Sequence, residues 1–181
     1  MINKLGGIRQ LALVVRDAET TMLTLSKTFG IGPFFVVRNM IPDDYRFRGQ
    51  PAKAPVLTLG FAQAGPLQIE IIQQHNNAPS AYTEFLAASS EGCQHVGVWF
   101  SDSAAYTAAR QMILDSGLIL VHENGANAAI ARFAYFATDI PGGLMLEIAE
   151  AQTPGVKSMF ETVALAAIDW DGQDPIRTFA A

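Results

Sequence analysis

The ten residues CQHVGVWFSD (93–102) repeat a pattern that has already occurred once in the chain, as IRQLALVVRD (8–17). Aligning the two stretches places Gln10 on His95, at a separation of 85 residues, and each stretch ends in an aspartate. Both stretches carry apolar residues in the alternating manner of a β-strand. We therefore interpret the chain as a duplicated unit, each copy of which begins with a strand.

A second pair of similar stretches follows, one in each copy. GPLQIEII (65–72) and GGLMLEIA (142–149) place Glu70 on Glu147, at a separation of 77 residues. A duplication with one loop of unequal length explains why the two separations differ. Each glutamate is the odd polar residue of an apolar strand, and burying a carboxylate without a partner costs several kcal/mol, as an order of magnitude. Two buried acids at matching positions predict a cation or protons between them.

Four side chains, those of Gln10, Glu70, His95 and Glu147, are therefore predicted to meet between the two halves around one divalent metal ion. One imidazole nitrogen and three oxygens suit a borderline-to-hard ion such as Zn²⁺, Ni²⁺, Co²⁺, Fe²⁺ or Mn²⁺. Taken one at a time, a strand histidine is more often a core residue, and a strand glutamate usually faces water. The internal repeat is what favours a shared site.

Each copy predicts the element order strand, helix, strand, strand, strand. Asp17 and Asp102 stand where the N-caps of the two helices are expected, and Ser80 is expected to cap a short helix between the copies. The polar, proline-containing segment 40–55 is interpreted as a long loop. After the second copy, apolar residues at helical spacing predict an amphipathic helix, beyond which the chain is expected to trail off.

These boundaries predict one domain over residues 1–151 and a C-terminal helix and tail over residues 152–181. Within the domain, module one spans residues 7–74, a connector spans 75–92, and module two spans 93–151. A repeat of two copies is typical of a duplicated supersecondary module, since a solenoid needs three or more.

Composition excludes several classes of protein. Half of the 181 residues are hydrophobic, 16% are charged and the net charge is −5, with no Lys/Arg cluster, which argues against nucleic acid as a partner. No apolar run reaches the roughly 18 residues of a membrane span, and the N-terminus lacks the apolar stretch of a signal peptide. A single cysteine excludes an internal disulfide. A cytoplasmic location is expected.

Aromatic residues are candidates for an apolar pocket wall, although most aromatics in a domain of this size belong to the core. The candidates are Phe34, Phe35, Tyr45, Phe47, Trp99, Phe133, Tyr135 and Phe136. Strand alternation also places Cys93 on the same face as His95, two residues away.

The two βαβββ patterns, together with LALVVRDAETTMLTLSKTFGIGPFF, GPLQIEIIQ, GCQHVGVWFSD and GLMLEIAE, resemble the vicinal oxygen chelate superfamily over residues 8–150. This is the superfamily of lactoylglutathione lyase (glyoxalase), methylmalonyl-CoA epimerase, extradiol dioxygenases and bleomycin-resistance proteins. GIGPFF, IEIIQ and WDGQDPIR are similar to a glyoxalase-like group related to methylmalonyl-CoA epimerase. The resemblance implies an α+β fold in which two βαβββ modules form an eight-stranded, half-open cup.

The resemblance also implies a site and an activity. Metal ligands come from the first and last strand of each module, which are Gln10, Glu70, His95 and Glu147 here, a set similar to that of the zinc-type glyoxalases. The implied function is that of a metal-dependent lyase, isomerase or epimerase. Such an enzyme would abstract a proton next to a metal-chelated carbonyl of a small-molecule substrate and form an enolate, with Glu147 or Glu70 as the base.

Two alternatives remain open. The same cup occurs in metal-free proteins that bind small molecules, as bleomycin-resistance proteins do, and the four polar residues would then form a hydrogen-bonded network. An extradiol dioxygenase is disfavoured, because its iron site needs two histidines and one carboxylate, and Gln10 stands where the first histidine is required. The resemblance also implies a homodimer; since both modules lie in one chain, a site within the chain is the simpler expectation.

Overall fold

The computed structural model describes residues 5–88, 91–125, 131–151 and 154–179. The first half contains β1 (Gln10–Val14), α1 (Ala18–Phe29), β2 (Phe34–Met40), β3 (Tyr45–Phe47), β4 (Gln50–Pro51), β5 (Leu57–Ala64) and β6 (Leu67–Gln74). After α2 (Ala81–Ala88), the second half contains β7 (Gly92–Trp99), α3 (Ser103–Asp115), β8 (Ile119–Asn124), β9 (Phe133–Ala137) and β10 (Met145–Ala149). The last described elements are α4 (Pro154–Ala166) and β11 (Ile176–Thr178).

All these strands belong to one curled sheet with the order β11-β2-β5-β6-β1-β7-β10-β9-β8-β3-β4. The eight central strands, β2 to β8 in that order, are the two predicted modules placed side by side. The modules meet where β1 pairs with β7 in an antiparallel manner. The α+β fold with two βαβββ modules is therefore confirmed.

The pairing register reproduces the duplication residue by residue. At the central seam, Gln10 pairs with Gly97 and Ala12 pairs with His95. The residue 85 positions after Gln10 is His95, which is the partner of Ala12, and the residue 85 positions after Ala12 is Gly97, which is the partner of Gln10. Equivalent residues of the two copies thus exchange partners, as a local two-fold axis between β1 and β7 requires. The sequence repeat is thus a structural repeat with its axis at the seam.

Side-chain caps begin the helices at the predicted places. The Asp17 carboxylate accepts a hydrogen bond from the backbone N–H of Thr20 (3.0 Å), and that of Asp102 accepts one from Ala105 (2.8 Å). Each bond satisfies one of the backbone donors that the first turn of a helix leaves free. Ser80 caps α2 in the same way, through the N–H of Thr83 at 3.0 Å.

The interpretation of residues 40–55 as a loop was wrong in part. Strands β3 and β4 form a small hairpin within it, and β3 adds to the free edge of β8, with Tyr45 opposite Asn124 and Phe47 opposite His122. A strand of three residues is too short to show a period in the sequence, and its backbone bonds form because β8 offers an unpaired edge. The hairpin ties the first half of the chain to the second module.

The expectation that the chain trails off after the C-terminal helix was also wrong. Strand β11 pairs with β2 in parallel, with Ile176 opposite Phe34, and so extends the other edge of the sheet. Between α4 and β11, the Trp170 ring packs so closely over Gly32 that a Cβ there would collide with it. The last segment therefore belongs to the fold of the first module.

Helix α4 lies against the inner side of the cup. Val156 and Val163 are buried on one side of the helix, and the Phe160 ring stacks on that of Trp99 with centroids 4.7 Å apart. Phe160 also contacts Phe61 of β5, with centroids 5.7 Å apart. Among the described helices, none is long and apolar enough to span a membrane.

Candidate active site

The four residues singled out in the sequence lie side by side on the inner face of the four central strands. One row across the sheet runs Gln68, Gln10, Gly97, Glu147, and the next runs Glu70, Ala12, His95, Met145. Residues that pair in neighbouring strands point to the same face, so both rows face the cup. The two-fold axis exchanges the rows. Small residues, Ala12 and Gly97, occupy the positions between the larger polar ones.

Glu70, His95 and Glu147 form a compact buried cluster. The Nε2 atom of His95 lies 3.6 Å from Oε2 of Glu70 and 3.5 Å from Oε2 of Glu147. His95 is fully buried, and the two glutamates are 6% and 7% exposed. One imidazole nitrogen therefore faces two carboxylates in a nearly dry environment, where a charge is costly unless it is paired.

Gln10 joins this cluster from the neighbouring row. Its Nε2 donates to Oε1 of Gln68 at 2.7 Å, which directs its own Oε1 toward Gly97. Both this oxygen and Oε2 of Glu147 lie 3.0 Å from the point where a Cβ on Gly97 would stand. Among the described residues this Glu147 oxygen has no hydrogen-bond partner, although Nε2 of His95 lies within ion-pair distance of it, at 3.5 Å. Two acceptors that face one small space need a cation or a proton between them.

Gln94 holds the histidine ring, and the sequence did not indicate it. Its Oε1 lies 2.7 Å from Nδ1 of His95 and accepts that nitrogen's proton. A β-bulge is responsible, since Ala12 pairs with His95 while Leu13 pairs with Cys93, which leaves Gln94 as the extra residue. The bulge also places the exposed Cys93 on the outer face with Leu13, so the expectation that Cys93 shares the face of His95 was wrong.

Burial and charge shift the protonation of this cluster. Burial raises the pKa of Glu70, and the neighbouring Glu147 raises it further, against the opposing effect of His95. For His95, burial lowers the pKa, but the two carboxylates outweigh it and raise the value to about 9. At neutral pH without a bound ion, His95 is thus a cation paired with the acids. A metal ion would have to compete with that proton.

Two tyrosines extend the cluster along the wall of the cup. The Tyr135 hydroxyl lies 3.4 Å from Nε2 of His95 and accepts a hydrogen bond from the Tyr82 hydroxyl at 3.1 Å. Burial raises the pKa of both phenols, so both remain protonated donors. The sequence indicated Tyr135 only as a candidate wall residue and did not single out Tyr82 as a site residue. Neither motif nor spacing connected them to His95.

Above the cluster lies a cavity of about 210 Å³. Gln10, Glu70, Glu147, Tyr82 and Tyr135 form its polar floor, and strands β2 and β5 and helix α4 supply most of its apolar walls. Of the eight aromatic candidates for a wall, three line it, namely Trp99, Phe133 and Tyr135. Others pack into the core, Phe34 and Phe136 among them, each with no exposed surface.

The donor set fits one divalent ion in part. Donor type and convergence fit, because three oxygens and one nitrogen lie around one space in which, among the described residues, Oε2 of Glu147 has no hydrogen-bond partner. The present side-chain positions do not form a finished cage: among the described residues, no three His, Cys, Asp or Glu side chains are arranged as ligands of one ion. Separations of 3.5 and 3.6 Å between His95 and the acids are those of an ion pair. Their role as ligands stays a prediction.

Comparison with known proteins places this geometry in a family. Residues 9–136 match the model of the glyoxalase/bleomycin resistance protein/dioxygenase superfamily. The chain belongs to this superfamily. The family model thus covers both modules through β9, and it ends before β10 and α4. A comparison with curated proteins finds no significant match.

Solved structures share the fold of this superfamily member at low sequence identity. A methylmalonyl-CoA epimerase from Mycobacterium tuberculosis superposes with a TM-score of 0.56 at 19% identity, over 84% of this chain and 91% of that one. A variant of the Streptomyces coelicolor epimerase in complex with 2-nitronate-propionyl-CoA gives 0.54 at 16% identity, over 83% and 100% of the two chains. A hypothetical protein from Bacillus halodurans C-125 gives 0.53 at 14% identity, over 80% and 93%.

Proposed function

We propose that this superfamily member is an isomerase or epimerase that removes a proton next to a carbonyl group and forms an enolate of its substrate; a lyase is the related alternative. The observation that carries the proposal is the convergence of Glu70 and Glu147 on one nitrogen of His95 at the floor of an apolar cavity. Burial raises the pKa of Glu70, and a buried acid with a raised pKa is typical of groups that exchange protons with a substrate. The fold shared with methylmalonyl-CoA epimerases supports the choice of reaction.

The residues that would hold a divalent ion are Gln10, Glu70, His95 and Glu147. Such an ion, when bound, supplies a Lewis acid that stabilises negative charge on the substrate oxygens. Gln68 and Gln94 support the donors, because each accepts a hydrogen bond from the side chain of a ligand, Gln10 and His95 respectively. Partners of this kind fix the orientation of metal ligands.

Protein side chains would carry the proton. Oε2 of Glu70 is the proposed acceptor, since burial raises its pKa and so makes it a stronger base than an ordinary carboxylate once it is ionised. Returning the proton from the same carboxylate to a neighbouring atom gives isomerisation. Epimerisation results instead when Glu147, protonated beforehand, delivers its own proton to the other side of the carbon, and the abstracted proton then remains on Glu70 until the two acids exchange protons with solvent. The Tyr135 hydroxyl, 3.4 Å from His95 Nε2, would donate to an oxygen of the substrate.

The proposed acid–base roles are tested by exchange of the substrate α-proton for deuterium, followed by NMR in D₂O. The panel contains 2-oxo aldehydes, acyl-CoA thioesters and aromatic carbonyl compounds. Glu70→Gln and Glu147→Gln should each reduce exchange by about 10²-fold or more, with the thermal midpoint retained. Glu161→Gln, on the exposed side of α4, is the control and should be silent. Unchanged exchange in both active-site variants would contradict the mechanism.

A metal-free binding protein is the second candidate, and one observation favours it. With a pKa of about 9, a protonated His95 already pairs with both acids without any ion. Plasma mass spectrometry of gently purified protein separates the candidates. About one divalent ion per chain that is lost in His95→Gln supports the enzyme; no metal in the wild type together with tight ligand binding supports the binder.

A further inference from the structure

The side chains of Gln10 and Gln68 form a buried amide pair beside the acids. Nε2 of Gln10 donates to Oε1 of Gln68 at 2.7 Å, and the two residues are 3% and 1% exposed. They meet because Gln10 of β1 pairs with Gln68 of β6. The hydrogen bond determines which end of the Gln10 amide faces the site: its nitrogen points to Gln68, and its oxygen points to the space over Gly97.

This orientation leaves two buried polar atoms without hydrogen bonds. Within the described part of the chain, neither Nε2 of Gln68 nor Oε2 of Glu147 has a hydrogen-bond partner. The first atom is a donor and the second is an acceptor, and their residues lie on opposite sides of Gln10 in one row of the sheet. Buried polar atoms without hydrogen bonds destabilise a protein. The pair therefore has a physical reason to adopt a second arrangement.

Rotation of both amides by half a turn gives that second arrangement. An amide group keeps its shape in such a rotation, while its oxygen and its nitrogen exchange places. Nε2 of Gln68 would then donate to Oε1 of Gln10, and Nε2 of Gln10 would face Oε2 of Glu147 over Gly97. The atom left without a partner would be the carbonyl oxygen of Gln68, and buried carbonyl oxygens lack a hydrogen bond more often than buried N–H groups do.

A bound cation would reverse this preference. In the orientation that the structure shows, oxygens of Gln10 and Glu147 face the same small space, which suits a positive ion. In the reversed orientation, Gln10 presents an N–H group, which attracts the Glu147 carboxylate and repels a cation. A ligand that binds one of two arrangements more tightly shifts the population toward it. Occupancy of the site and orientation of the amide are therefore linked.

We propose that Gln10 and Gln68 form a two-state amide switch, in which Gln10 donates to Glu147 without an ion and turns its oxygen to the site when an ion binds. Gln68 is the positioning residue of this switch, because it can donate to the Gln10 amide in one state and accept from it in the other. The inference rests on the proposed metal site for the second state, and on hydrogen bonding alone for the first.

Nuclear Overhauser spectra of the nitrogen-15-labelled full-length protein distinguish the two orientations. In the presence of EDTA, the side-chain NH₂ protons of Gln10 should show a cross-peak to an Hα proton of Gly97, because the nitrogen then occupies the space over that residue. Excess zinc should remove this cross-peak. The same orientation with and without zinc overturns the inference, and so does a protein that binds no zinc.

Substitution of Gln68 tests its control over Gln10. Gln68→Met removes the acceptor with little change of shape, so zinc affinity in a chelator competition should fall at least about tenfold. Gln63→Met is the matched control: Gln63 pairs with Gln68 from β5, but its Nε2 donates to the backbone oxygen of Gly65 at 2.8 Å. It should keep the wild-type affinity. An unchanged affinity in Gln68→Met rejects the role of Gln68.

A second background separates orientation from packing. Gln10→Glu has an oxygen at both ends and cannot turn a nitrogen toward the ion. In that background, Gln68→Met should change zinc affinity by less than about threefold. A tenfold loss there as well would mean that Gln68 supports the site only by packing, which contradicts the switch. If Gln10→Glu fails to fold, the cross-peak between Gln10 and Gly97 decides.

The switch and the proposed function fail separately in this design, because the NMR and zinc measurements need no substrate. A single amide orientation, with exchange of the substrate α-proton intact, rejects the switch and leaves the proposed function standing. An amide that turns on zinc binding, in a protein that exchanges no proton of any substrate in the panel, rejects the enzyme and leaves a site that responds to a metal ion.

Discussion

Gly97 allows the candidate ligands of the two modules to face one another. It lies between Gln10 and Glu147 in one row of the sheet, and its two-fold equivalent in the other row is Ala12. A Cβ at position 97 would lie 3.0 Å from an oxygen of each neighbour and 3.1 Å from Cβ of Gln10. A side chain at position 97 would therefore require the Gln10 and Glu147 side chains to move by a few tenths of an ångström.

The first prediction is that Gly97→Ala moves the side-chain oxygens of Gln10 and Glu147 away from each other. The methyl group should push the Gln10 and Glu147 side chains apart, lower metal affinity at least tenfold and cost about 1–3 kcal/mol of stability by overpacking. Gly155→Ala is the matched control, since nothing lies within 4 Å of its added Cβ in α4. Competition titration with a zinc chelator and urea denaturation measure the two effects. Full metal affinity in Gly97→Ala would contradict the proposed geometry.

The second prediction concerns the Gln94 side chain. Gln94→Leu removes the acceptor of the His95 Nδ1 proton, so the ring loses its fixed orientation, and metal affinity should fall about 10–100-fold. Gln94→Glu keeps an acceptor at that place and should restore most of the affinity. Nitrogen-15 chemical shifts of the His95 ring report the tautomer directly. An unchanged tautomer in the leucine variant would show that Gln94 does not position the ring.

At this scale, the sequence indicated the positions that repeat and not those that depend on a local irregularity. Gln10, Glu70, His95 and Glu147 could be brought together because duplication places them at equivalent points, although their function stays a prediction. Gln94 reaches the site through a one-residue bulge, and no periodic pattern shows where a bulge occurs. Tyr82 comes from the connector, which has no counterpart in the repeat.

At the scale of elements, the β3–β4 hairpin connects three parts of the molecule. The Tyr45 hydroxyl donates to the backbone oxygen of Pro79 in the connector at 2.9 Å and lies 2.9 Å from Nδ1 of His122 in β8. Arg48, at the hairpin turn, pairs with Glu84 of α2 at 2.9 Å. The Tyr45 hydroxyl is buried and the ion pair is exposed, so the hydroxyl contributes more to stability.

The third prediction compares two tyrosines. Tyr45→Phe should destabilise the protein by about 1–3 kcal/mol, because it removes the donor to the Pro79 oxygen and leaves Nδ1 of His122 with the Ala81 N–H, at 3.3 Å, in place of two partners. Tyr106→Phe makes the same chemical change at an equally buried ring whose hydroxyl has no hydrogen-bond partner in the part of the chain that the structure describes. It should cost less than about 0.5 kcal/mol. Urea denaturation of both variants decides, and equal losses would mean that the Tyr45 hydroxyl does not hold the hairpin.

The sequence predicted the long elements and missed the short ones for a common physical reason. Helices α1 and α3 have caps and an apolar stripe that can be recognised locally. Strands β3, β4 and β11 have two or three residues, and each forms because a longer strand offers a free edge. Their existence depends on tertiary pairing, and a local pattern cannot show it.

At the scale of the whole molecule, a symmetric scaffold carries an asymmetric site. The two-fold axis at the seam relates Gln10 to His95 and Gln68 to Met145, while Glu70 and Glu147 remain equivalent. The first module therefore supplies the amides of Gln10 and Gln68, and the second module supplies the imidazole of His95. The repeat explains why the acids face one another. The differences between the halves therefore place a titratable imidazole on one side of the axis and amides on the other.

A second buried histidine gives the molecule a further pH dependence. His122 is fully buried, and burial, followed by the charge of His95, lowers its pKa to about 3. Three tyrosines face its ring, Tyr45 from β3, Tyr82 from α2 and Tyr135 from β9, and none of them offers a negative charge. His122 is therefore neutral when the protein is folded, whereas the unfolded chain protonates it below pH 6.5.

The fourth prediction follows from the sign of this shift. Between pH 6.5 and about 3, the unfolded state binds close to one more proton than the folded state at His122, so stability falls as pH falls, by up to about 1.4 kcal/mol per pH unit. His95 has the opposite sign: its raised pKa of about 9 stabilises the metal-free protein below pH 6.5, and that contribution is lost as pH rises through 9. Stability of the metal-free protein should therefore be greatest near pH 6.5.

Urea denaturation at half-unit steps from pH 5 to 9.5, with a chelator present, measures how stability falls on the acid side and on the alkaline side of this maximum. His122→Gln should reduce the slope of the unfolding free energy against pH between pH 5 and 6.5 by the equivalent of about one bound proton. The loss of stability on the alkaline side should remain. An acid slope that survives in His122→Gln would assign the pH dependence to other groups. Excess zinc should then suppress the loss of stability on the alkaline side, because an ion that replaces the proton on His95 removes its titration from the folded state.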